Sequence, residues 1–204
     1  MASSSKLQRI AFKTSRQLDF CNQKELTAQT GHPPEAWPLV ALKELMDNGL
    51  DACEEAGVAP AIRVTLDNEG IVVEDNGPGI PAELIEGVLD FSVRVSSREA
   101  YVAPDRGAQG NALKTIVAMP FVLDGERGCV DVEAHGVRHR ITMGVDRIRQ
   151  EPVVERTEQA ADTAIGTKVR IHWPDSAKAQ SCATLSPILY KSPTTTLSST
   201  RTCR

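Results

Sequence analysis

Residues 39–56, LVALKELMDNGLDACEEA, constrain the fold more than any other stretch. With no proline and Gly49 as its one glycine, the segment reads as an α-helix. Leu42, Leu45, Met46 and Cys53 recur at three- and four-residue steps and give it one buried stripe. At about 100° per residue, Glu44, Asn48 and Asp51 fall within an arc of roughly 60°. One face of a largely apolar helix therefore carries two carboxylates and a carboxamide. A solvated face is the commoner use of such residues. Such a face favours Lys, Arg and Glu, however. Asn and Asp are poor mid-helix residues because their side chains compete for backbone hydrogen bonds. A binding site along this face is the sharper reading.

Around this helix the chain divides by punctuation and period. Residues 1–21 are mixed and basic and read as an N-terminal arm with one short strand. Residues 22–30 fit a short helix that Gly31, Pro33 and Pro34 break. Pro38 opens the long helix and Gly57 closes it. AIRVTL (61–66), the turn DNEG and IVVED (71–75) give a strand–turn–strand signal. DNGPGIP (75–81) is a loop, 82–90 a helix, and 91–109 a long loop of the kind that usually carries function. A helix at 111–119 opens after Gly110. Four strands are expected at 129–134, 136–145, 147–156 and 166–173. Helices and strands are partly segregated, which predicts an α+β sandwich with helices on one face of a mixed, mostly antiparallel sheet. From 176 to 204 acidic residues vanish and no period survives. This stretch reads as a disordered tail or as sequence outside the evolved fold, so the domain is set at 22–175 and the tail is expected to be dispensable.

Composition excludes several classes. At 41% hydrophobic and 25% charged the chain is globular, and a net charge of −4 gives no overall basic footprint for nucleic acid. The five cysteines and four histidines show no zinc spacing, which favours reduced thiols in a cytoplasmic protein. No apolar run reaches the roughly 18 residues of a membrane span. The first residues lack the apolar core of a signal peptide.

Three stretches complement one another chemically: the Glu44/Asn48/Asp51 face, the loop beginning Asp75-Asn76-Gly77-Pro78-Gly79, and Arg106-Gly-Ala-Gln-Gly-Asn-Ala-Leu113. Gly107 and Gly110 let backbone approach a ligand, and a helix N-terminus beside Gly110 favours phosphate. The Asn48 carboxamide oxygen suits a hard cation such as Mg²⁺, commonly shared with phosphates. Glu44 is placed to take a proton from water attacking a terminal phosphate.

The motifs E-x-x-x-N-x-x-D-A, D-x-G-x-G and the later glycine box resemble those of the GHKL ATPase superfamily. Its Bergerat fold is a two-layer α/β sandwich, and its members include gyrase, ninety-kilodalton heat-shock chaperones, histidine kinases and MutL proteins. KELMDNGLDAC and SSREAYVAPDRGAQG look most like the B subunit of topoisomerase VI. The resemblance is firm over 36–120, with a further element at Gly166-Thr167. It implies ATP and Mg²⁺ as ligands, Glu44 as general base and Asn48 as metal ligand, with Asp51 in the same motif. It also implies that Asp75 accepts the adenine amino hydrogen while Gly77 and Gly79 admit the base. Arg106, Gly107, Ala108, Gln109, Gly110, Asn111, Ala112 and Leu113 would wrap the phosphates, with Ser97 and Arg98 reaching them from a lid. Thr167 would support Asp75. Lys114 is expected at the surface.

Ala112 stands where the topoisomerase box usually has a glycine, and Gly110-Asn111-Ala112-Leu113 resembles the MutL pattern instead. The expected function is an Mg-dependent ATPase domain driving a DNA-cleaving or other DNA-handling partner, with a nucleotide-dependent homodimer as a further expectation. In the family a second domain donates a lysine to the terminal phosphate. With about thirty atypical residues after Trp173, turnover is expected to be slow or absent. The alternatives are a histidine-kinase-like or MutL-like module, or a truncated remnant that only binds nucleotide.

Overall fold

The computed structural model describes residues 17–89, 109–149, 151–178 and 185. Among the described residues four α-helices, α1 (Gln23–Thr30), α2 (Trp37–Glu55), α3 (Ala82–Leu89) and α4 (Gln109–Asp124), cover a sheet of six strands. The strands are β1 (Arg63–Leu66), β2 (Gly70–Glu74), β3 (Gly128–Ala134), β4 (Val137–Asp146), β5 (Glu151–Ala160) and β6 (Thr167–His172), in the order β1-β2-β6-β3-β4-β5. Each pairing among the described residues is antiparallel. The last strand in sequence thus lies at the centre, bridging the β1–β2 and β3–β4 hairpins.

Alternation explains the layers. Val130 and Val132 of β3 pair with Ile171 and Val169 of β6 and face the helices. Trp37, Ala41, Leu42 and Leu45 of α2 and Ile116, Val117 and Met119 of α4 meet them in one core. The expected α2 stripe is present, with Met46 half-buried at its margin. The helix ends in a Schellman motif: Val58 N–H donates to Cys53 O at 2.9 Å and Gly57 N–H to Glu54 O at 3.0 Å.

The intervening strand residues face away from the helices and carry charge. Asp131 and Glu133 are nonetheless buried, because basic neighbours cover them. Arg140 Nε and Nη2 hold the two oxygens of Asp131 at 2.8 and 2.9 Å, and Arg138 Nε reaches Glu133 at 2.6 Å. Burial pushes the Asp131 carboxyl up, but the hydrogen bonds from Arg140 and His172 outweigh it and hold the group well below the usual carboxylate range.

Several boundaries differ from expectation. α4 runs through Pro120 to Asp124, since burial of Phe121 against the core continues the helix past the proline. β5 begins after a turn at 147–149 and reaches Ala160; one face of this edge strand is exposed and the other only partly buried, so its sequence carries little apolar alternation to read. Lys114 is buried on α4, not at the surface. The core also extends past both ends of the expected domain: Phe20 precedes it, and Leu185, fully buried, follows it.

Candidate functional site

Helix α2 carries Glu44, Asn48 and Asp51, all half-exposed, along the margin of its buried stripe. Asn48 and Ala52 are one turn apart and share a face. The loop after β2 lies directly on that region. A Cβ added to Gly77 would sit 3.2 Å from the Ala52 Cβ. One built on Gly49 would sit 3.1 Å from the Asp75 Cβ. Gly49 thus makes room for Asp75 against the helix. Sequence reasoning assigned it no role, although a mid-helix glycine costs about 1 kcal/mol relative to alanine and so signals a close approach.

Asp75 is fixed by backbone. Its Oδ1 accepts from Gly77 N–H at 2.9 Å and from Thr167 N–H at 3.1 Å, while its own N–H donates to Thr167 O at 2.9 Å. Burial pushes its carboxyl up, and the Gly77 and Thr167 hydrogen bonds oppose that shift without cancelling it. An ionised carboxylate has about four lone-pair sites, so these bonds leave it capacity to accept from a ligand.

The neighbours of Asp75 are held as firmly. Asn76 Oδ1 accepts from Ala61 N–H at 2.7 Å and from Cys53 Sγ at 3.3 Å, and Asn76 Nδ2 donates to Ala59 O at 3.0 Å. This side chain staples the α2–β1 connection to the loop, a role its place in a turn-like motif concealed. Gly166 (φ +78°) has no room for a Cβ, which would run into the Asp75 carbonyl. Gly79 (φ +85°) faces Gly166 O and the His135 ring.

The structure therefore brings together Asp75, Gly77, Gly79 and Thr167 and sets them beside the α2 face of Glu44, Asn48 and Asp51. Glu44 Oε1 lies 3.9 Å from Lys43 Nζ, which also pairs with Asp47 at 2.7 Å. Of the residues expected to wrap phosphates, Ser97, Arg98, Arg106, Gly107 and Ala108 lie outside the described residues. Gln109, Gly110 and Asn111 are the first described residues of α4, so Gly110 is itself helical instead of preceding the helix. Ala112 is half-buried and Leu113 buried.

Away from this site, Cys129, Asp131 and His172 bring ligand-type atoms within 4.8 Å of one another, a grouping that cysteine spacing did not suggest. Both Asp131 oxygens are engaged there by Arg140 and His172, so an ion pair network accounts for the cluster. Among the described residues no helix is long and apolar enough to cross a membrane.

The family model for histidine kinase-, DNA gyrase B-, and HSP90-like ATPases matches residues 35–177. The B subunit of the type 2 DNA topoisomerase 6 of Archaeoglobus fulgidus is 34% identical over 140 residues, which are 65% of this chain and 23% of that protein. Its counterpart from Natronomonas pharaonis is 30% identical over 161 residues, 74% of this chain and 20% of that one. The chain thus spans a quarter or less of the length of these relatives. Among solved structures, the 43K ATPase domain of Thermus thermophilus gyrase B in complex with an aminocoumarin aligns at 25% identity. It covers 66% of this chain and 33% of that one with a TM-score of 0.37.

Proposed function

The chain belongs to the family of histidine kinase-, DNA gyrase B- and HSP90-like ATPases, and from that premise we propose that it binds ATP around Asp75 and hydrolyses it with Glu44 as general base. The Asp75 geometry carries the reading. Two backbone N–H groups, from Gly77 and Thr167, orient one half-buried carboxylate. Such a group accepts a hydrogen from the adenine amino group, whereas guanine presents an oxygen acceptor at that position. Two facing acceptors leave buried polar groups unpaired, at about 1–3 kcal/mol.

The residues of α2 supply the chemistry. Glu44 is half-exposed and one turn from Asn48, so it meets water at the margin of the site and accepts its proton as the water attacks the terminal phosphate. The neutral oxygen donor of Asn48, flanked by carboxylates, fits a hard divalent ion. Mg²⁺ held there would offset phosphate charge. Gly110 and the first turn of α4 offer N–H groups and a helix dipole to the phosphates.

The likeness to topoisomerase subunits supports a role in which the nucleotide cycle drives a second, DNA-handling protein, with pairing of two copies on ATP as part of that cycle. Release of inorganic phosphate from Mg-ATP tests the enzymatic half. Glu44→Ala is expected to lower turnover by about 10²–10⁴ and leave ATP affinity nearly unchanged, because a general base acts in the transition state. Affinity falling in step with turnover would contradict the role of Glu44.

A further inference from the structure

His135 and Gly136 form the two-residue turn between β3 and β4, with φ of 52° and 78°. Such turns favour Asn, Asp or Gly at the first position, where a side chain must tolerate positive φ. Histidine is among the few side chains that tolerate positive φ, so the turn permits the imidazole without requiring it, and what the ring touches decides its role. The ring is exposed, so core packing does not explain it. It lies on Gly79: a Cβ built there would be 2.9 Å from His135 Nε2 and 3.1 Å from Cε1. The same Cβ would be 3.1 Å from Gly166 O, and Gly166 abuts the Asp75 carbonyl.

The hairpin tip is also clamped. Gly136 N–H donates to Thr163 O at 2.8 Å, and Ala161 N–H donates to Gly136 O at 2.8 Å. Segments distant in sequence thus converge on one point, where Gly79, Gly136 and Gly166 bring backbone alone and His135 brings a side chain. We infer that His135 is a specificity-determining residue of the nucleotide site, its imidazole forming the outer wall of the slot that begins at Asp75 and contacting the nucleobase rather than the phosphates. This rests on the reading of the Asp75 site as an ATP site. A planar ring at the rim stacks on, or hydrogen-bonds to, a planar base, and it narrows the slot over Gly79.

His135→Asn and His135→Gly both accept the positive φ, so the turn survives while the ring is lost. Titrations of ADP and of adenosine are compared for wild type and both variants, with GDP as the competing base and the melting temperature of the unliganded protein as the fold control. The expected result is a loss of about tenfold in affinity, equal for ADP and adenosine, with a narrowed preference for ADP over GDP and an unchanged melting temperature; tenfold corresponds to about 1.4 kcal/mol of lost contact. Unchanged adenosine affinity, a loss confined to ADP, or an unaltered ADP-to-GDP ratio overturns the inference. If wild type binds neither adenosine nor ADP, the ATP reading itself fails; wild-type binding with unaffected variants refutes His135 alone.

Discussion

The Thr167 amide donates to Asp75 Oδ1 at 3.1 Å across a separation of 92 residues, and the Asp75 amide returns a bond to the Thr167 carbonyl at 2.9 Å. This reciprocal pair continues the β2–β6 ladder, whose last partners are Glu74 and Lys168, one step past its end. A carboxylate is thereby set at the end of two paired interior strands instead of on a free loop. Rigid elements hold a recognition group in place at little entropic cost on binding.

Gly166 makes that pairing possible, and Gly166→Ala is expected to break it. The substitution adds a Cβ that meets the Asp75 carbonyl and forces a non-glycine residue to φ +78°. Destabilisation of at least about 1–3 kcal/mol in urea unfolding is expected, together with loss of ATP binding. Gly87→Ala is the control, because nothing lies within 4 Å of a Cβ at that position in α3. It should stabilise by up to about 1 kcal/mol. Equal stabilities for the two variants would show that Gly166 does not hold Asp75.

Acid sensitivity should trace to the outer face of the sheet. Asp131 has a folded-state pKa below its unfolded value of about 3.9. The folded state therefore binds fewer protons in that range, and the stability this group confers is present above about pH 4 and lost as pH falls toward the folded value. Asp131→Asn should flatten the acid limb of a stability-against-pH curve. At neutral pH it should cost about 1.5–3 kcal/mol, the scale of hydrogen bonds to charged groups. Acid limbs that run parallel in wild type and variant would assign the sensitivity elsewhere.

Leu185 changes the expectation for the C-terminal stretch. The loss of acidic residues and of period after Asp175 reads as a dispensable tail, yet Leu185 is fully buried in the domain core and Ala177 is buried beside the last strand. Leu185→Ala should destabilise by about 2–5 kcal/mol, the usual range for a core leucine. A chain ending at Asp175 should lose a comparable amount. Thermal melts of the two variants against wild type decide this, and an unshifted melt would return the tail to dispensable status.

The α2 stripe, the hairpin 61–75 and the β3–β4 pair were legible because burial on one face writes a period into the sequence. β5 was harder, since an edge strand with one face exposed and the other only partly buried writes almost none. Lys114 was misplaced because its type argues for the surface, while α4 packs it inward. Glu44, Asn48 and Asp75 stood out as candidates from motif and from their odd position on an apolar helix or in a glycine turn. Gly49, Asn76 and His135 did not, because their significance lies in contacts across the fold that local patterns do not encode.

The most direct test of the account is calorimetric titration of ATP and GTP, with Mg²⁺, into wild type and Asp75→Asn. Wild type should prefer ATP by about 1–3 kcal/mol, the cost of facing acceptors in a buried site, and Asp75→Asn should lose most of its ATP affinity. The unliganded variant should fold at least as stably at neutral pH. Burial raises the Asp75 pKa, so the ionised carboxylate weakens the folded state progressively as pH rises through the interval between its unfolded and folded values, and the neutral amide removes that cost. A stable Asp75→Asn protein that no longer distinguishes or binds ATP is the predicted result. Equal affinity of wild type for ATP and GTP, or full ATP affinity in Asp75→Asn, would contradict the central claim that this carboxylate reads adenine.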